Sequence, residues 1–298
     1  MDLSTGIRNL FENITYYPKF NIQAGHIQKY RIEMNNEYLN EKGDIVKRQK
    51  LVSDYTRKIT DLPHDFYALT EITIDRVEFS SDKIQKPIRW TFAEGLKLPF
   101  YLYICNYLDD YKMIAEECDN GLIKQRNQEF ADIFSAFPKL PSVDVFIMLA
   151  YDIIGFETLF SHAASKPLLF EEVGKFIKIH SLSATKCSWS MGLYSEDSYY
   201  ENGDFFAAFQ GYSLYRERPC SMIEYYCDHS SLRVVDDSKE TARSREGNSF
   251  YAGIIHIDVD TGLIQAGTML ESIAAVQYKG EKKKIPVHVR RRIKTESY

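Results

Sequence analysis

Residues 254 to 264, IIHIDVDTGLI, set one histidine and two aspartates at alternate positions: His256, Asp258 and Asp260. Alternate residues of a strand share a face and stand about 6.8 Å apart, so neighbours can converge on one ion although three in a row rarely do. Imidazole and carboxylate are ligands that a hydrolytic metal uses, and the trio therefore reads as the face of a metal-assisted hydrolase. The same residues run into Asp260-Thr261-Gly262, an Asx side chain and a glycine able to take positive φ, which is the chemistry of a hairpin loop. Polar side chains beside such a turn need no further role, and the structural reading is the stronger one.

Other routes to catalysis are poorly supplied. There is no G-x-S-x-G elbow, P-loop, H-E-x-x-H or G-x-G-x-x-G, so hydrolase, nucleotide and dehydrogenase motifs are missing and no cofactor is expected. The acid pairs Asp109/Asp110, Glu116/Glu117, Glu171/Glu172 and Asp236/Asp237 are sequence neighbours that point apart on strands. Asp152 lies inside the apolar run SVDVFIMLAYDIIGFETLF, where an unpaired carboxylate is costly; it faces a wet edge or partner, or it faces a ligand.

These side chains must be positioned by a chain of 298 residues, of which 44% are hydrophobic and 27% charged. That balance is globular and argues against disorder and coiled coil. The 21 tyrosines and 18 phenylalanines favour pleated half-buried surfaces or a ring-lined pocket. Five cysteines without a C-x-x-C pair favour free thiols. Cys220 and Cys227, seven residues apart on one strand, face opposite ways about 23 Å apart, beyond disulfide reach.

No apolar stretch approaches the roughly 20 residues that cross a bilayer, because Asp144, Asp152 and Glu157 interrupt the most apolar region. The first residues carry no signal-peptide run, so the chain as written reads as cytoplasmic, while a trimmed signal would make it periplasmic or extracellular. Residues 279–298 hold eight Lys or Arg against Glu281 and Glu296, a formal +6 that leaves −11 for the rest of a −5 chain. In KIPVHVRRRIKT, His288, Arg290, Arg292 and Lys294 fall on one face and Arg291 on the apolar one. Cations and Pro286 protect an exposed sheet edge, and the strand is read so; docking of a protein partner or a phosphate-bearing surface is the alternative. Nucleic acid is disfavoured, for no aromatics interleave the charges.

Alternating runs separated by turn signals predict strands over 25–118 and again over 174–295. Within 121–162, residues 121–137 change to a three-and-four spacing and predict a helix, and residues 142–160, apolar nearly all round, suit a second, buried one, with two strands broken at Asp152 as the alternative. The polar run 235–249 reads as a loop. The expected fold is mainly β within α+β: residues 1–298 as one large domain, a curved antiparallel sheet or half-barrel of roughly a dozen strands with the helices on its concave face. In SYYENGDFFAAFQGYSLY, Phe205 and Phe206 must point to opposite sides, so one needs a second layer or a ligand.

The long N-terminal strands, the helix ending in FPKLP and the hairpin IDVDTGLIQAG resemble in layout the half-barrel of bacterial lipoprotein carriers, the LolA/LolB-like group. The resemblance implies a concave face lined by apolar and aromatic side chains and plugged by helices, suited to an acyl chain. It makes a non-enzymatic binder of a lipid, an apolar small molecule or a lipidated partner the leading expectation. Trp90, Phe92, Phe146, Asp152, Trp189, Phe205 and Phe209 are the ligand-facing residues expected.

Overall fold

The computed structural model describes residues 23–64, 67–103, 173–179, 187–188, 199–201, 203–236, 243–279 and 283–298. Twelve strands are found there: β1 (Ile27–Leu39), β2 (Ile45–His64), β3 (Tyr67–Ser81), β4 (Ile88–Tyr103), β5 (Ile177–Ile179), β6 (Cys187–Ser188), β7 (Tyr199–Glu201), β8 (Asp204–Tyr215), β9 (Arg218–Asp236), β10 (Arg243–Asp258), β11 (Ile264–Lys279) and β12 (Lys283–Ser297). All belong to one antiparallel sheet with the order β4-β3-β2-β1-β12-β11-β10-β9-β7-β6, in which β8 continues outward from β9 and carries β5. Among the described residues the two ends of that order, β4 and β6, do not pair with each other, so these strands form one open sheet.

Alternation along each strand separates two faces. On β1 the buried set is Tyr30, Ile32, Met34 and Asn36. Their cross-strand partners Tyr55, Ser53, Leu51 and Gln49 on β2 are buried too, as are Ser297, Thr295 and Ile293 on β12. The opposite face of β1, β2, β3 and β12 carries ion pairs: Arg31 and Arg76 flank Asp54 at 2.7 and 2.8 Å, Lys50 meets Glu33 at 2.8 Å, and Arg290 meets Glu37 at 2.8 Å. Exposed pairs of this kind contribute little singly. They keep that face wet and the other inward.

Two sequence expectations change. The basic strand β12 is no edge, because it pairs with β1 on one side and β11 on the other. Pro286 lies beyond the last β1 pair at His288, so the strand is paired only on its β11 side there. The polar run 235–249 is largely strand: β9 continues to Asp236 and β10 begins at Arg243. Cross-strand complementarity supports it, with Arg233 3.4 Å from Glu246. The two helices predicted over 121–162 lie outside the described residues.

One close approach fixes the middle of the sheet. The Tyr225 hydroxyl on β9 reaches across β10 to donate to the Thr268 carbonyl on β11 at 2.9 Å. Its path lies over Gly253, where a Cβ would stand 1.8 Å from the Thr268 oxygen and 2.6 Å from the Tyr225 hydroxyl. Gly253→Ala should therefore cost about 3 kcal/mol, the upper range for forced overpacking. Tyr225→Phe should cost about 1 kcal/mol, the usual worth of one hydrogen bond. Urea unfolding of the two variants should rank them in that order.

Candidate functional site

Register carries the inner face across the sheet in continuous rows. One row joins Ile88, Phe79, Leu51, Met34, Ile293, Met269, Gly253, Tyr225, Ala207 and Ile177, one residue from each of ten strands. The next row runs from Trp90 on β4 through Val77, Ser53, Ile32, Thr295, Gly267, Ile255 and Ile223 to Phe209 on β8. Apart from the half-buried Trp90, every residue of this second row is withdrawn from water.

The expected ligand-facing residues distribute along this surface. Phe205 and Phe209 occupy one end; Phe205 stacks on Tyr225 with centroids 5.9 Å apart, and Phe209 meets Tyr212 edge-on at 5.1 Å. Trp90 stands at the other end, eight strand spacings away, about 38 Å measured along the sheet. Phe92 is placed on β4 with its side chain outside the described residues, as are Phe146, Asp152 and Trp189 altogether. Phe206 does face away from Phe205: it stacks on Tyr226 at 4.9 Å, and Phe176 covers the same ring at 5.2 Å.

Polar groups sit within the inner face: Arg291, as its parity predicted, and, missed from the sequence, its partners Glu271 and Asn36 together with Arg57. Arg291 Nη1 donates to Glu271 Oε2 at 2.6 Å and its Nε to Asn36 Oδ1 at 3.4 Å, with the Glu271 side chain only 3% exposed. Arg57, also buried, lies over the Tyr30 ring, which stacks on Tyr55 at 5.2 Å. The parity that marks Arg291 as the exception on its strand would have marked Arg57 equally, since it follows Leu51, Ser53 and Tyr55 at every second position.

His256, Asp258 and Asp260 do three different things. Asp258 closes the β10–β11 loop: its Oδ1 accepts from the amides of Asp260 and Thr261 at 3.0 and 2.9 Å, while its Oδ2 is 3.6 Å from Arg218. Gly262, at φ 73°, completes that loop and donates to the Asp258 carbonyl at 2.8 Å. Asp260 is exposed. His256 lies beside the ends of β8 and β9, with Nδ1 2.9 Å from the Ser213 hydroxyl and its ring 5.7 Å from Tyr215. Burial lowers its pKa from the ordinary value. Among the described residues no three His, Cys, Asp or Glu side chains gather to hold a metal. Cys220 and Cys227 are buried free thiols. Burial, then the Asp258 charge, pushes Cys220 up to about 12, away from the thiolate that a nucleophile needs.

No family model matches the chain, and no curated protein matches it, so the resemblance to lipoprotein carriers rests on layout. Among solved structures, one that matches is described as lipid–protein interactions in lipovitellin, at a TM-score of 0.42 and 11% identity over 93% of this chain. The chain spans 25% of the length of that lipovitellin chain. No described helix is long and apolar enough to cross a membrane, which leaves strand-built crossings unaddressed.

Glu271→Ala should destabilise by about 3 to 5 kcal/mol, because it strands a buried guanidinium. A double replacement by Leu at Glu271 and Met at Arg291 should recover most of that loss in the same denaturant titration. For His256 the folded pKa is depressed, so its contribution is complete above the ordinary value near 6.5 and is lost as pH falls through the lower folded value. Thermal midpoints of His256→Gln should accordingly show a weaker decline than the parent below pH 6.5.

Proposed function

We propose that this protein is a non-enzymatic binder of a hydrophobic ligand, a lipid or a lipidated partner, held against the inner face of the sheet. What carries the reading is the apolar row in register across ten strands, opposite a face laced with ion pairs. Nine strands at about 4.8 Å spacing make a face about 38 Å wide, most of it withdrawn from water. The side chains along it are withdrawn from water in the chain itself, and in this reading an apolar guest shares that apolar layer with them. Among the buried polar groups inside, Arg291 with Glu271 and Asn36 would serve in this reading to orient a mostly apolar guest.

Metal-assisted hydrolysis is the weaker reading, because both Asp258 oxygens already hold the turn and Arg218. Protein docking along an exposed C-terminal edge loses its premise, since β12 is interior to the sheet.

Native mass spectrometry of the purified chain, followed by solvent extraction, should show co-purified lipid. The extracted protein should take up a fluorescent fatty acid with saturation. A protein that carries no extractable lipid and takes up none of the probe overturns the proposal.

A further inference from the structure

The outer face of the sheet is not uniform. On β1, β2, β3 and β12 it is charged, but on β10 and β11 it presents Phe250 (47% exposed), Ile254 (37%) and Leu270 (56%). Leu270 is directly opposite Ala252 and so diagonal to both Phe250 and Ile254, which makes the three a flat triangle with two sides of about 7 to 8 Å and a third of about 14 Å. The neighbouring outward positions of β11 are Thr268, Ser272 and Ala274, all uncharged. Beside them runs the basic column of β12. Arg292 is the direct cross-strand neighbour of Leu270, and Lys294 that of Thr268.

That column keeps a net positive charge. Arg292 is exposed and has no carboxylate within ion-pair distance among the described residues. Glu37 serves Arg290 and Arg48 together, and Glu296 serves Lys294 and Arg216 together. Each acid therefore offsets one of two cations. Three large apolar side chains in water, bordered on one side by a column in which cations outnumber acids, match a surface that is anionic at its boundary and apolar beneath.

We propose that the outer face of β10, β11 and β12 docks the protein on an anionic phospholipid bilayer, with Phe250, Ile254 and Leu270 entering the headgroup boundary and Arg292 and Lys294 meeting lipid phosphates. The triangle is far smaller than the roughly 800 Å² per partner of a stable protein interface, which argues against a second copy as the occupant. A few inserted side chains beside a basic patch suffice for reversible membrane binding. This face lies on the side opposite the apolar rows, so its occupancy is independent of any guest held there.

The test is co-sedimentation of the full chain with phosphatidylcholine vesicles, with and without phosphatidylserine. The chain should bind only the vesicles containing phosphatidylserine, and less as salt rises. Phe250→Ser combined with Leu270→Ser, and separately Arg292→Glu, should each weaken binding by about tenfold or more, with far-UV circular dichroism unchanged. Arg292→Gln supplies a milder variant should either fail to fold, and it too should lower binding. No binding to phosphatidylserine vesicles, equal binding to neutral ones, or undiminished binding by folded variants overturns the proposal. So does sedimentation equilibrium showing a dimer that the Leu270→Ser substitution dissolves.

Discussion

The structure depends on the pairing of its first strand with its last. β1 and β12 are zipped from Tyr30↔Ser297 to Leu39↔His288, and the rest of the sheet grows outward from that seam on both sides. Inside the seam lie Ile32 against Thr295 and Met34 against Ile293; outside lie Glu33 against Lys294 and Glu37 against Arg290. A slip of one residue would turn every side chain of β1 to the other face, burying Arg31 and Glu33 while exposing Tyr30 and Met34. The charges on one face and the apolar rows on the other therefore enforce the same register. Because the seam joins residues about 250 or more apart in sequence, little of the sheet can be in place before the chain is nearly all present.

The seam also determines where the edges fall. Running from β1 through β2 and β3 brings the chain to β4 at one edge, and it re-enters at β5 on the far side. The chain between Tyr103 and Ile177 joins these two ends, and it contains the one stretch whose apolar spacing changes from two to three and four. A meander whose two halves meet in the middle has to connect its outer margins somewhere. The sequence places that connection where the period breaks.

Strand existence and face were legible because alternation is a local property. Phe205 and Phe206 can be assigned to opposite sides from adjacency alone, and Arg291 can be marked as inward from its neighbours. Strand order was not legible. The charges of β12 suit an edge, yet opposing Glu33, Glu37 and Glu271 on adjacent strands make them equally fit for the interior of the sheet. Only knowledge of the partner separates the two, and the partner is far away in sequence. The same holds for 235–249, where polar residues resemble a loop until Arg233 is seen beside Glu246. Gly253 carries no local signal at all, since its need is set by a tyrosine on one neighbouring strand and a carbonyl on the other.

The alternation that ends at Asp258 shows how a polar periodicity can arise without chemistry. Ile255 and Ile257 must point inward, so His256 points outward, where Ser213 and Tyr215 half-cover it. Asp258 follows it on the same face, still paired with Cys220, but it is the last residue of the strand and its carboxylate is taken up by two loop amides. Asp260 is then one residue before the turn's end and left in water. Three polar residues at even spacing thus arise from a strand, a corner and a loop in succession. A shared ligand would require all three to remain on one straight face, and the turn over residues 259–261 takes Asp260 off it.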